Sequence, residues 1–591
     1  MNVIERITSL RNLMRLEKID AMLIYGTDPH LSEYVPSAWR SIEWISGFTG
    51  SYAKVVITRD KALLWTDSRY FIQAENQLKG NGFLIMKERQ SDTIPIDQWL
   101  NLELSPGNTI AIDGQTVSHI EINNLGKHFN AHGLIFLINK DLISQIWNNR
   151  PLMVNNPIVD YPLNFAGSSR SEKLSEIRKR LSDNHADATM ICQLDDLAWS
   201  LNLRGSEINY IPCFTGYAFI THDQAFIFLN KVSISSKLTE NLKTEGISVF
   251  DYESLFSVLE MNLPSTIFLD PDRTNSIIYS FYAQRSSIID GISIPTQLKS
   301  IKNKVEISGM RAAHRRDGVA MVNFLYWFDK HSQSDQITEM SLAEKLRSFR
   351  SDQKYFIGES FSPIVGFGPH GAIVHYSATP ETDATIKKDG ILLIDSGGQY
   401  LDGTTDITRT ISIGKVNSDQ RCDFTLVLKG MINLAKAKFP AGTKGHSLDA
   451  LARNALWSNG LNYGHGTGHG IGHYLSVHEG PMSIRSEYNH EPIREGQIMS
   501  NEPGLYRQDQ YGIRIENVIL CQNEKFSAFG PFLSFETLTL CPIDKKLIKR
   551  NLLNADELSW LNGYHKNVLR QLKPYLKPEV VKWLTIQCSS L

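Results

Sequence analysis

The chain of 591 residues has only six cysteines (Cys192, Cys213, Cys422, Cys521, Cys541 and Cys588), and no two of them form a CxxC pair. That scarcity argues against a disulfide framework or a zinc ribbon and fits reduced thiols in a cytoplasmic protein. No apolar run comes near the roughly 20 residues that cross a bilayer, so no membrane partner is expected. Neither charge sign dominates: 61 Lys and Arg stand against 63 Asp and Glu, a formal net charge of −2. The broad basic field of a dedicated nucleic-acid binder is therefore missing. Two catalytic signatures are absent as well, the HExxH of zinc peptidases and the GxSxG nucleophile elbow.

What remains is ordinary globular material. Apolar residues make up 42% and charged residues 21%, which excludes wholesale disorder. At roughly 150 residues per domain the length predicts three or four domains. Ile4, Ile7, Leu10, Leu13 and Leu16 recur at helical spacing. The N-terminus mixes these with charge and lacks a small-residue cleavage site, so it reads as a first helix and not as a secretory leader. A β-type run, Ala21-Met-Leu-Ile-Tyr25, follows. The stretch 148–167, punctuated by Pro151, Pro157 and Pro162, reads as a linker.

A second unit then restarts the first. Asp187-Ala-Thr-Met-Ile191 repeats Asp20-Ala-Met-Leu-Ile24, and Phe214-Thr-Gly-Tyr-Ala-Phe-Ile-Thr221 echoes Phe48-Thr-Gly-Ser-Tyr-Ala-Lys-Val-Val-Ile-Thr58. Each copy runs helix, strand, glycine turn, strand, which predicts two similar α/β domains in tandem. A boundary near 293–300 precedes a long amphipathic helix to about His331, with Ala312, Val319, Val322, Leu325 and Phe328 inward. His314 on that helix reads as a partly buried histidine with no ligand role. The expected domains are 1–150, 151–295 and 296–591.

The chemistry lies in the last of these. In Ile391-Leu-Leu-Ile-Asp395-Ser-Gly-Gly-Gln-Tyr-Leu-Asp-Gly-Thr-Thr-Asp406 an aliphatic strand runs into Asp395, turns on glycines and returns with Asp406. An antiparallel pair of this kind brings two carboxylates close together, and they raise each other's pKa unless a cation lies between them. Four histidines and five glycines crowd 464–478, in Tyr463-Gly-His465-Gly-Thr-Gly-His469-Gly-Ile-Gly-His473-Tyr-Leu-Ser-Val-His478. No Lys-Ser/Thr follows, so this is not a phosphate loop. A third stretch pairs Asn501-Glu502-Pro503 with Tyr511-Gly-Ile-Arg514-Ile-Glu516. Strand alternation there sets Arg514 and Glu516 on one face and Ile513 and Ile515 on the other.

Each stretch alone could be a turn aspartate, a glycine loop or a strand-edge glutamate. Together, two Asp, two Glu and one His at strand ends and glycine turns point to a metal centre. Four carboxylates carry −4 and two divalent cations +4, so the charges balance. A mostly oxygen ligand set suits Mn²⁺, with Co²⁺ or Zn²⁺ able to compete. Two adjacent metals make a hydrolytic centre.

Residues Asp395, Asp406, His469, Glu502 and Glu516 resemble, in order and spacing, the five-ligand pattern of the pita-bread metallopeptidases. Within that family the chain is similar to the three-domain, cytosolic Xaa-Pro aminopeptidases. The motifs Gly371-Ala-Ile-Val-His375-Tyr, His465-Gly-Thr-Gly-His-Gly, Val477-His-Glu-Gly-Pro and Gly512-Ile-Arg-Ile-Glu-Asn-Val carry the likeness. Upstream, Asp28-Pro-His-Leu-Ser-Glu-Tyr34, Trp65-Thr-Asp-Ser-Arg-Tyr70 and Asp196-Leu-Ala-Trp-Ser-Leu-Asn-Leu-Arg204 extend it over nearly the whole chain.

The resemblance implies two creatinase-like α/β domains followed by a pita-bread catalytic domain with a C-terminal helical extension. It implies that Asp395 chelates one metal, that Asp406 and Glu516 bridge, and that His469 and Glu502 complete the second. Glu502 becomes the expected general base, with His375 and His478 near the scissile carbonyl, His465 at the proline pocket and Arg514 supporting it. His473 matches no required position and is expected to be structural. Two departures stand out: Ala378 follows His375-Tyr376 where the family often has proline, and Asn501 precedes Glu502 where an acidic residue is commoner.

The implied activity is release of an N-terminal residue from peptides with proline in second place. The leading pair of domains is expected to shape the mouth of the site, limit substrate length and serve any pairing into a homodimer. Prolidase, which takes only dipeptides, is the nearest rival. A peptide- or histone-binding protein on an inactive peptidase fold is the other, and it is disfavoured because all five ligand positions are filled. The segment after Leu540, with Trp560, Tyr564, Leu569 and Trp583, is expected to pack on the catalytic domain.

Overall fold

In the computed structural model, residues 1–332 and 337–591 are described. They form two compact units, 1–163 with 168–296, and 164–167 with 297–591.

The first unit contains two six-stranded sheets of the same design. One runs Leu84–Lys87, Ala62–Thr66, Lys54–Thr58, Ala21–Tyr25, Thr109–Ile112, Ile135–Leu137. The other runs Ile247–Asp251, Ala225–Leu229, Gly216–Thr221, Ala188–Ile191, Thr266–Leu269, Ser287–Asp290. In both, three central strands pair antiparallel and the outer ones add in parallel. The repeated sequence motifs fall on matching strands, Ala21–Tyr25 with Ala188–Ile191 and Lys54–Thr58 with Gly216–Thr221. Parallel neighbours need crossovers, and helices such as Phe71–Gln77 and Ser236–Thr244 supply them. Four of the six central strands, Ala21–Tyr25, Ala62–Thr66, Ala188–Ile191 and Ala225–Leu229, are buried along their whole length. Within this unit His30 ties the two sheets' domains together: its ring lies 2.9 Å from the Cys192 carbonyl oxygen and 3.0 Å from the Tyr252 hydroxyl.

The second unit opens on the helix Lys304–His331, whose N-cap Asn303 forms a reciprocal capping box with Glu306. Val319, Val322, Leu325 and Phe328 face inward as expected, but Ala313 is the buried alanine and Ala312 is only half-buried. The expected stripe is one residue, about 100°, out at its first alanine, with Ala312 at the edge of the buried face. His314 is fully enclosed, its Nδ1 2.8 Å from the Met310 carbonyl.

Behind this helix lies a three-stranded sheet, Ile364–Phe367, Gly390–Ser396 and Ile407–Ile413. A six-stranded sheet runs Lys438–Pro440, Gly530–Thr537, Asn517–Ser527, Ile498–Asn501, Gly468–Gly470, Glu479–Ile484. A hairpin, Gly504–Arg507 with Tyr511–Arg514, joins them. Helices Ser418–Ala435, Gly445–Trp457, Ala555–Leu572 and Pro578–Gln587 pack around the sheets. Leu561, Tyr564, Val568 and Leu584 of the last two belong to the core cluster of this unit, and Trp560, Leu569 and Trp583 pack against it.

One buried cation links the strands to that helical tail. Arg409, 1% exposed, donates to the carbonyls of Thr408, Glu516, Cys541 and Pro542, to Asn517 Oδ1 and to the Tyr564 hydroxyl. The six cysteines are free thiols, five of them buried. No helix among the described residues is long and apolar enough to cross a membrane.

Candidate active site

The two aspartates arrive on antiparallel strands. Asp395 ends an aliphatic strand, and its register partner is Thr408, two residues past Asp406. The glycine-rich connection is more structured than a simple turn, since Gly398–Tyr400 and Gly403–Thr404 pair within it. Glu502 follows the strand Ile498–Asn501, and Glu516 sits between Tyr511–Arg514 and Asn517–Ser527. The Glu516 N–H donates to the Thr408 carbonyl at 3.1 Å, which fastens the two sheets at the site. His469 is centred on Gly468–Gly470.

The glycines flanking His469 serve close strand packing. A Cβ at Gly468 would stand 2.1 Å from the Ser500 carbonyl oxygen, and one at Gly470 2.3 Å from that of Glu479. Backbone proximity is the reason for this pair, and neither has a positive φ.

Ligand-type atoms of Asp406, His469 and Glu516 all lie within 4.8 Å of one another. His469 Nε2 is 3.5 Å from Asp406 Oδ2 and 3.4 Å from Glu502 Oε1. Asp395, Asp406 and Glu516 are buried, whereas His469 and Glu502 keep 21% and 18% of their side chains exposed. The site therefore opens on their side.

Arg514 is the cation of this pocket. Its Nε lies 3.2 Å from Asp395 Oδ2 and 3.2 Å from Thr408 Oγ1, and Thr408 donates to Glu516 Oε2 at 2.8 Å. Arg514 and Glu516 thus share a face, and Ile513 and Ile515 lie in the apolar core behind it. One guanidinium does not offset four carboxylates. Burial, then the charges of Asp395 and Glu502, push Asp406 well above the usual carboxylate range. Burial and its three acidic neighbours do the same to Glu516. Glu502 is pushed up to about 7, chiefly by burial, against the pull of Arg514.

Two carboxylate oxygens, Asp395 Oδ1 and Glu516 Oε1, are buried with no hydrogen-bond partner among the described residues. Orphaned anionic oxygens beside mutually repelling carboxylates are what a cation site looks like in a protein chain considered alone. The donor set fits divalent metal.

The histidines surround this group. His478 stands edge-on to His469 with ring centroids 4.4 Å apart. His465 Nε2 lies 2.8 Å from the Tyr506 hydroxyl, which accepts from Arg514 Nη1 at 2.6 Å. His375 is half-buried and joins through its neighbour, since the Val374 carbonyl accepts from Arg514 Nη2 at 3.4 Å. His473 is buried against Gly309 of the long helix. Asn501 is fully buried and donates to the Met431 carbonyl at 2.8 Å, so it serves the sheet–helix junction.

Two polar groups of the site have no sequence motif: Tyr506, and Ser500, whose Oγ donates to Glu502 Oε1 at 3.0 Å. The only sign of Tyr506 is its strand register opposite Gly512, which places it beside Arg514.

The comparisons with known proteins agree with this architecture. Residues 308–523 match the model of metallopeptidase family M24, and 531–591 match the C-terminal region of that peptidase. Residues 6–136 and 149–306 each match a creatinase/prolidase N-terminal domain. A probable Xaa-Pro aminopeptidase P of Laccaria bicolor is 38% identical over 100% of this chain and 94% of its own length. Aminopeptidase P1 of Lotus japonicus is 36% identical over 96% and 97%. Among solved structures, the X-prolyl aminopeptidase of Caenorhabditis elegans, described as a cytosolic enzyme with a di-nuclear active site, matches with a TM-score of 0.96. It is 36% identical and covers 100% of both chains.

The chain belongs to metallopeptidase family M24, with two creatinase-type N-terminal domains ahead of a pita-bread catalytic domain.

Proposed function

We propose that this chain is a two-metal aminopeptidase that removes the residue preceding a penultimate proline. The observation that carries the reading is one partly open pocket. It gathers four carboxylates, an imidazole and two orphaned carboxylate oxygens beside the His465–Tyr506–Arg514 group. Full-length likeness to Xaa-Pro aminopeptidases supports it.

Asp395, Asp406, His469, Glu502 and Glu516 would hold two divalent ions, with Mn²⁺ the best match to a mostly oxygen donor set. Bound there, the ions supply Lewis acidity toward the scissile carbonyl and acidify water. The chain's own groups do the rest. Glu502, on the open side and hydrogen-bonded by Ser500, takes the proton of the attacking water. His375 and His478 donate to the developing oxyanion and relay the proton held by Glu502 to the leaving nitrogen. That nitrogen is proline's, a tertiary amide with no N–H for a backbone acceptor to hold. Recognition therefore rests on the ring, for which His465, Tyr506 and Arg514 form a rigid hydrogen-bonded wall.

We keep the division into 1–150, 151–295 and 296–591, and place the enzyme in the cytoplasm. The test is metal content per chain, with activity followed after chelation and Mn²⁺ add-back. Hydrolysis of Ala-Ala-peptides as fast as Ala-Pro-peptides would remove the proline specificity. Cleavage of Gly-Pro alone, without a Xaa-Pro-tripeptide, would make the chain a prolidase.

A further inference from the structure

His375 stands in a segment with little regular structure of its own. After the short turn Gly368–Ala372 no helix or strand forms until Gly390–Ser396, and most of 377–385 is exposed or half-buried. A mobile carrier would serve poorly for a side chain that must meet a carbonyl oxygen. One buried acidic residue holds the segment instead.

Glu339, first residue of the helix Glu339–Ser351, is 0% exposed. Its Oε1 accepts from the Phe367 N–H at 2.8 Å and lies 2.9 Å from His370 Nδ1. Its Oε2 accepts from the Tyr376 hydroxyl at 2.9 Å and the Ala384 N–H at 3.1 Å. The Glu339 N–H donates in turn to the Ala384 carbonyl at 3.1 Å, and the Met340 N–H to Asp383 Oδ1 at 2.9 Å. A single side chain thus ties residues 367, 370, 376 and 384, both ends and the middle of the segment. A carboxylate this deep is strongly unfavourable unless its donors are fixed, so it selects one arrangement of them. The start of a helix, where backbone N–H groups point outward, favours its charge.

Tyr376 is the chain neighbour of His375, and Val374 is the other. On the Val374 side the backbone is held by Arg514, which also binds Asp395. On the Tyr376 side it is held by Glu339. His375 therefore sits on a peptide pinned at both flanks, one pin rooted in the carboxylate pocket and the other in a helix outside it.

We propose that Glu339 is a positioning residue for the reaction: through Tyr376 it fixes the backbone from which His375 reaches the scissile carbonyl. The inference rests on the peptidase reading given above. Misplacement of a reacting group by about 1 Å costs about a hundredfold in rate, which sets the scale of the effect.

The experiment is a pair of double-mutant cycles on the metal-loaded full chain with an Ala-Pro-peptide. Tyr376→Phe and Glu339→Gln are each made alone and in a His375→Ala background. Wild-type turnover is measured first, because its absence would overturn the peptidase reading itself. Given turnover, each single change is expected to lower kcat about ten- to a hundredfold, with KM moved less than about threefold. In the His375→Ala background each is expected to change kcat less than about twofold, since the group it positions is gone. Equal losses in both backgrounds, or near-wild-type kcat in the single variants, would overturn the role of Glu339 and leave the peptidase reading intact. If Glu339→Gln does not fold, the Tyr376→Phe cycle decides alone.

Discussion

Nε2 of His469 lies 3.4 Å from Oε1 of Glu502, and the same oxygen accepts from Ser500 Oγ at 3.0 Å. Glu502 thus touches the metal-type cluster and stands half-buried on its open side. Glu502→Gln keeps the shape and removes the proton acceptor. We expect turnover of a Xaa-Pro-peptide to fall by more than about a thousandfold. A variant that works at close to the wild-type rate would end the assignment of Glu502 as base.

Removal of metal should reverse the usual effect of alkali on a carboxylate-rich protein. Folded-state values are raised for Asp406 and Glu516, and for Glu502 to about 7. In the unfolded chain these groups titrate near about 4. Their contribution is fully present below that value and is lost as pH rises through the folded values, because only the unfolded chain then ionises freely. Chelated protein should melt at a lower temperature at pH 8 than at pH 6, and Mn²⁺ should restore the loss at pH 8. A pH-independent Tm after chelation would contradict this.

The phenol of Tyr506 joins His465 to Arg514. Tyr506→Phe leaves both without that oxygen, a loss of about 1–2 kcal/mol, or roughly tenfold in kcat/KM. The loss should be larger for Ala-Pro- than for Ala-Ala-peptides. Equal losses would take Tyr506 out of proline recognition.

Gly512 is a matter of space. A Cβ there would stand 1.7 Å from the Gly371 carbonyl oxygen, and both glycines flank backbone that carries site residues. Gly512→Ala should destabilise by about 1–3 kcal/mol and lower Tm by several degrees. An unchanged melting curve would show that the strand shifts freely.

Much of this architecture was legible because its chemistry conflicts with ordinary folding rules. Asp395 ends an aliphatic strand, and His469 lies among glycines; neither placement helps a core, so both stand out in a linear reading. The tandem sheets were visible for the opposite reason, since Ala21–Tyr25 and Ala188–Ile191 repeat the same buried pattern. Tyr506 and Glu339 were not legible. Each looks like an ordinary residue in an ordinary element, and its importance comes from partners brought near only by folding: Glu339 meets Tyr376 across 37 positions. The glycines flanking His469 make room for neighbouring strands. Sequence registers that a side chain is missing but not which neighbour needs the gap.

Arg409 gives the far end of the chain a stake in events it never touches. Its charge is spread over carbonyls of the strand region and over Tyr564 and Cys541 of the tail, with no carboxylate in the arrangement. Trimming the last helices would take the Tyr564 hydroxyl from this guanidinium, one residue from the threonine that steadies Glu516. Wear at the tail would therefore be felt as lost affinity for metal.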